Sequence, residues 1–86
     1  MGQRGVTMSY GYSQSLVEAN KKASIKSLGV ALGRLCIKHG VPVSEVAQEL
    51  GVSRATVYNW FWGITSPVLH LQPRVIAYTH YLKNRE

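Results

Sequence analysis

The sequence contains few of the residues from which catalytic and metal-binding sites are built. It has one cysteine, Cys36, no aspartate, and four acidic residues, all of them glutamate. A single cysteine excludes an intramolecular disulfide, and no Cys/His cluster has the spacing of a metal site. The scattered glutamates form no paired-carboxylate site, and we find no Ser/His/Asp arrangement and no phosphate-cradling loop. The sequence therefore predicts a protein that is not an enzyme and binds no cofactor.

Long hydrophobic runs are also absent. No apolar stretch is long enough for a secretory signal peptide or a membrane span. Cys36 lies on an apolar stripe, where a buried core residue is expected rather than a nucleophile. These features predict a reducing, cytoplasmic setting without a membrane partner. No sensor domain is visible, so we expect no small-molecule ligand.

Positive charge, by contrast, is abundant. Ten lysine and arginine residues outnumber the four glutamates, which gives a formal net charge of +6. With 45% hydrophobic and 16% charged residues, the composition is that of a globular protein. A small, strongly basic domain indicates a polyanionic partner, although charge that serves solubility alone is the alternative. Composition does not distinguish DNA from RNA or from an anionic membrane.

The length of 86 residues is sufficient for one domain. Residues 1–14 are rich in glycine and polar side chains, and we interpret them as a flexible N-terminal arm. That arm is either a plain tail or a segment that contacts DNA or a second subunit. Residues 15–86 are predicted to form a single helical domain.

Apolar residues in the domain recur at helical spacing. Residues 15–18 fit a capping box, and an apolar face follows with Ile25, Leu28, Leu32 and Leu35. Whether residues 15–39 form one helix or two is left open. A last helix is expected near Pro73, where the missing N–H of proline costs nothing. Its predicted buried face consists of Val75, Ile76, Thr79 and Leu82.

Residues 41–63 have the internal spacing of a helix-turn-helix. Ser44 is predicted to cap the first helix and Ser53 the second, which would extend from Arg54 to Trp62. Ala47 is small enough for the two helices to cross closely. Gly51 allows the positive φ angle that the turn requires. The side chains predicted to fill the core around these helices are Val46, Leu50, Val52, Val57, Trp60 and Phe61.

This stretch closely resembles the helix-turn-helix family of the phage repressors and Cro (XRE-like, lambda-repressor-like). Residues 25–82 can be aligned with that family's domain, including the polar segment, glycine and further helix that follow the recognition helix. The resemblance implies an all-α fold of four to five short helices. It also implies sequence-specific binding in the major groove of double-stranded DNA, as a transcriptional regulator that acts as a homodimer in a bacterial or phage-infected host cell. Val43 departs from the family, which often has a polar residue there.

The resemblance places base contacts at the start and on the outer face of the recognition helix. Arg54 is suited to guanine and Asn59 to adenine, and Ala55 and Thr56 can meet a thymine methyl group. Trp62 either stacks on the sugar-phosphate backbone or packs against Ile64 and the last helix. Serines at helix N-termini are candidates for phosphate contacts. The complete predicted DNA-binding set is Ser44, Ser53, Arg54, Ala55, Thr56, Tyr58, Asn59 and Trp62.

Two other functions fit the sequence. One is a DNA-binding accessory module of a recombination, transposition or packaging system. The other is a protein-binding inhibitor that uses exposed aromatic side chains, for which the candidates are Tyr10, Tyr12, Tyr58 and Trp62.

Two further groups of residues are ambiguous in the sequence. The basic run Lys21, Lys22 and Lys26 either reaches flanking phosphates or is a solvated helix face. Ile76, Tyr78 and Tyr81 form a dimer seam on the last helix or complete the core of the monomer.

Overall fold

The computed structural model describes residues 12–84, and these form an all-α domain without a β-strand. The helices are α1 (Gln14–Lys22), α2 (Leu28–His39), α3 (Val43–Leu50), α4 (Arg54–Trp62) and α5 (Gln72–Lys83), with a 3-10 turn at Leu69–Leu71. This confirms the predicted fold class. Within the described range, no helix has the length and apolar character needed to cross a membrane. The predictions for residues 1–11 lie outside the described residues.

Three helices end at glycines with left-handed backbone conformation. Gly40, Gly51 and Gly63 have φ angles of 71°, 70° and 83°, and each donates its N–H to a carbonyl of the preceding turn. At Gly51 this conformation reverses the chain between α3 and α4 without the steric cost that a β-carbon would add. Local signals therefore set the ends of α2, α3 and α4.

Two predicted helix starts are wrong. The N-cap of α1 is Ser13, whose Oγ accepts a hydrogen bond from the Leu16 N–H at 3.1 Å, whereas Ser15 lies inside the helix. Helix α3 begins one residue before Ser44 and has no side-chain cap. The reason is tertiary, because Val43 is only 5% exposed and packs in the core as the first residue of that helix.

The segment 15–39 forms two helices rather than one. The chain leaves α1 at Lys22 and enters α2 at Leu28. Ile25 lies in this break and is 59% exposed, so its predicted place on the buried face is wrong. Leu32 and Cys36 are fully buried, and Leu28 and Leu35 are partly buried against the core.

Helix α2 occupies the centre of the domain and packs against α1, α4 and α5. The largest fully buried side chains are Trp60, Phe61, Leu16, Leu32 and Leu82. Tyr12, predicted as an exposed residue of the arm, is 8% exposed. Its hydroxyl donates a hydrogen bond to the carbonyl oxygen of Val41, and its ring lies 6.0 Å from that of Phe61. Burial accordingly raises the pKa of the Tyr12 phenol.

Helix α5 has a buried and an exposed face. Val75, Tyr78 and Leu82 are buried, whereas Ile76 and Tyr81 are 46% and 57% exposed. Tyr78 therefore completes the core of the monomer. The prediction that Ile76 belongs to the buried face is wrong, because it lies on the side of α5 that faces away from the core.

The burial of Cys36 leads to a testable prediction. Burial raises the pKa of its thiol to about 12, so the reactive thiolate is scarce near neutral pH. We expect a disulfide reagent at about pH 8 to modify the folded protein far more slowly than the urea-unfolded chain. Equal rates in the two states would show that Cys36 is accessible.

Candidate nucleic-acid interface

Helices α3 and α4 and the three residues between them form the helix-turn-helix. The Val52 N–H donates to the carbonyl oxygen of Ala47 at 3.0 Å, which closes the turn around Gly51. Ala47 is 6% exposed, as expected where two helices cross closely. The core around the pair contains Val46, Leu50, Val57 and Trp60, all of them buried as predicted.

Helix α4 presents one face to this core and the opposite face to solvent. Val57, Trp60 and Phe61 are 0–2% exposed, which confirms the predicted inward set. At 100° per residue, the exposed positions fall within an arc of about 140° on the other side. They are Arg54, Ala55, Tyr58, Asn59 and Trp62. Five of the eight predicted DNA-binding residues therefore share one continuous outer surface.

The two polar side chains predicted to contact bases are free of internal partners. The side chains of Arg54 and Asn59 are exposed. Neither one forms a hydrogen bond or an ion pair with another residue between 12 and 84. Their donors and acceptors are therefore available to a ligand, and no internal contact has to be broken on binding.

Tyr58 and Trp62 are 40% and 38% exposed. Trp62 lies on the same face as Ala55 and Asn59 and is not part of the buried core. Its neighbour Ile64 is 69% exposed. The indole therefore adds an accessible aromatic surface at the C-terminal end of the outer face of α4.

Ser53 and Thr56 are hydrogen-bonded to each other. The Ser53 Oγ accepts a hydrogen bond from the Thr56 N–H at 3.2 Å, which makes Ser53 the N-cap of α4, as predicted. The two hydroxyl oxygens are also hydrogen-bonded at 2.9 Å. Thr56 is half-buried, whereas Ser44 is exposed near the start of α3. These three residues thus lie at the N-terminal ends of the two motif helices.

A pair of serine substitutions distinguishes the cap from the exposed hydroxyl. Ser53→Ala is expected to lower the free energy of unfolding by about 1 kcal/mol, because the Thr56 N–H loses its partner. Ser44→Ala removes no hydrogen bond recorded between residues 12 and 84, and we expect a change of at most about 0.5 kcal/mol. Urea titration followed by circular dichroism measures both. Equal losses would contradict the assignment of the cap.

The position of α4 depends on residues that the sequence analysis did not single out. The buried Asn20 donates from Nδ2 to the carbonyl oxygens of Phe61 at 3.0 Å and Val30 at 3.1 Å. A β-carbon built on Gly29 would lie 2.5 Å from the Cβ of Trp60. One built on Gly33 would lie 2.7 Å from the Phe61 ring. Glycines four residues apart on one helix face are the signal that could have revealed this close approach.

A cavity of about 390 Å³ between α3 and α5 offers a different kind of surface. Its lining residues are Glu45, Glu49, Leu50, Arg74, Ala77, Tyr78 and Tyr81. Two carboxylates against one guanidinium disfavour a phosphate backbone at this place. The outer face of α4 has no acidic residue and is the better candidate for nucleic acid.

Comparison with known proteins agrees with this geometry. No curated protein and no solved structure matches the chain. Residues 23–62 match the family model of the homeodomain-like domain. This range includes α2 and both helices of the motif, and it ends at Trp62, the last residue of α4. Residues 23–62 are therefore similar to a homeodomain-like helix-turn-helix domain, which is a type of DNA-binding domain.

Proposed function

We propose that the protein binds double-stranded DNA sequence-specifically, with α4 in the major groove. The observation that supports this most strongly is the outer face of α4. There, unpaired Arg54 and Asn59 side chains lie beside exposed Tyr58 and Trp62, on a helix whose other face is fixed in the core. A rigid helix with free polar side chains is what direct contact with base edges requires.

The residue types define the proposed contacts. The Arg54 guanidinium forms a bidentate pair with O6 and N7 of guanine, and the Asn59 amide pairs with N6 and N7 of adenine. Ala55 and the Thr56 methyl group contact thymine methyl groups. Ser44 and Ser53 lie at helix N-termini, where backbone N–H groups favour phosphate oxygens. Trp62 stacks on the sugar-phosphate backbone.

We further propose a transcriptional regulator of the phage-repressor type that acts as a dimer on a short operator. The resemblance of residues 25–82 to that family supports this role, as does the further helix α5 after the turn that follows α4. The exposed Ile76 and Tyr81 on α5 are candidates for the dimer contact. A dimer would place two α4 helices about 34 Å apart on one side of the duplex.

Selection from a pool of randomised duplexes, followed by sequencing, tests this function. We expect one enriched motif with two-fold symmetry and half-sites about one helical turn apart. An enriched motif without symmetry would contradict the dimer but keep the DNA-binding function. If the protein is shown to be folded and no motif is enriched at low salt, that result would contradict sequence-specific binding.

A further inference from the structure

Three exposed lysines cluster around the break between α1 and α2. Lys21 and Lys22 form the last turn of α1, and Lys26 lies in the connection to α2. We call them the junction lysines. The sequence contains no acidic residue between Glu18 and Glu45. Glu18 lies one helical turn before Lys21 and Lys22, but no ion pair joins it to a junction lysine among residues 12–84.

On both sides of the break, a residue next to a junction lysine contacts the chain just beyond the C-terminal end of α4. Ala23 follows Lys22, and its Cβ lies 3.3 Å from the position of a β-carbon built on Gly63. Ser27 follows Lys26, and its Oγ is hydrogen-bonded to the Ser66 Oγ at 3.3 Å. The connection between α1 and α2 is thus packed against the chain just beyond Trp62.

Arg34 holds the end of α1 in this position. Its Nη2 donates hydrogen bonds to the carbonyl oxygens of Asn20 at 2.7 Å and Lys21 at 3.0 Å. A cation at the C-terminal end of a helix also interacts favourably with the helix dipole. The backbone that bears Lys21 and Lys22 is therefore anchored to α2, and the two lysine side chains are exposed.

The length of α4 indicates which part of a bound duplex would lie near the junction lysines. Nine helical residues extend about 13.5 Å, which is close to the width of the major groove, about 12 Å. A helix of this length that crosses the groove brings its C-terminal end near the phosphates on the far side. Lysine is a flexible point charge that suits phosphate contacts without base preference.

We propose that the junction lysines bind backbone phosphates that flank the base pairs contacted by α4. This surface lies outside the helix-turn-helix and extends the DNA site beyond the C-terminal end of α4. The proposal rests on the proposed DNA-binding function, because it requires α4 to lie in the groove. The lysines then contribute to affinity and to its salt dependence, whereas α4 determines base preference.

The test compares two double variants that each lose two positive charges. Lys22→Gln/Lys26→Gln removes two junction lysines, and Arg74→Gln/Lys83→Gln removes two exposed charges from α5, which packs on α2. Affinity for the selected duplex is measured as a function of salt. The slope of log K against log[salt] is negative, and each lost phosphate contact makes it shallower by about 0.9. For the junction variant we expect a slope shallower by about 1.8, and for the α5 variant one close to wild type.

The same experiment separates the possible failures. Between about 50 and 200 mM salt, the wild-type affinity should fall about tenfold more than that of the junction variant. The preferred sequence should not change. If the two variants have equal slopes, the proposed phosphate surface is wrong, although the function of α4 stands. If the wild type selects no motif and its binding has no salt dependence, both proposals fail.

Discussion

Replacing both Arg54 and Asn59 with alanine is expected to abolish preference for the selected duplex over an unrelated one. Each bidentate pair to a base contributes about 1–3 kcal/mol, so the two together contribute about 2–6 kcal/mol if they act independently. The affinity for the selected duplex should then fall at least about thirtyfold. Affinity for an unrelated duplex should fall much less, because most phosphate contacts remain. Fluorescence anisotropy with the two duplexes measures both quantities.

The chain provides a matched control for this variant. Arg74→Ala/Asn84→Ala also removes one guanidinium and one amide, but from α5 and its C-cap residue. Both residues are exposed, and Arg74 lines the cavity that contains Glu45 and Glu49. We expect its affinity for the selected duplex to stay within about twofold of wild type. Equal losses in the two variants would mean that charge alone, rather than the outer face of α4, determines binding.

Gly29→Ala is expected to destabilise the fold by about 1–3 kcal/mol, although alanine is the better helix former. In an unobstructed helix interior this change stabilises by about 0.5–1 kcal/mol. Here the new methyl group would lie 2.5 Å from the Cβ and 3.0 Å from the Cα of Trp60. Because one of these atoms belongs to the backbone, α4 would have to move away from α2. Chemical denaturation gives the change in the free energy of unfolding.

Ala31→Gly in the same helix provides the comparison. Ala31 is half-buried, and its replacement should cost about 1 kcal/mol through helix propensity. If propensity alone governed α2, the two substitutions would have opposite signs. The close approach of α2 and α4 predicts that both destabilise. A Gly29→Ala variant more stable than wild type would contradict that packing.

The bounds of α4 could be predicted closely from sequence because its signals are local. The Ser53 cap and the left-handed Gly63 fix its ends, and the spacing of Val57, Trp60 and Phe61 fixes its buried face. Each of these signals acts within a few residues of chain. The bounds of α4 and the direction of its outer face therefore needed no tertiary information.

Other features depend on residues that are distant in the chain, and the sequence did not reveal them. Tyr12 is buried, and its hydroxyl donates a hydrogen bond to the carbonyl oxygen of Val41, 29 positions away. Asn20 looks like an ordinary surface residue of α1, yet it bonds to the carbonyl of Phe61, 41 positions away. Periodicity placed Ile25 on the buried face because it continues the stripe of α2, but the helix begins only at Leu28. Such long-range contacts are not encoded in local spacing.

The most direct test of the central claim is a titration of the isotopically labelled protein with the selected duplex, followed by amide NMR. We expect the largest shifts at Ser44 and along α4, with smaller shifts at the junction lysines. Helix α5 should change little. Shifts centred on the cavity between α3 and α5, with α4 unaffected, would contradict the assignment of α4 as the DNA-binding helix.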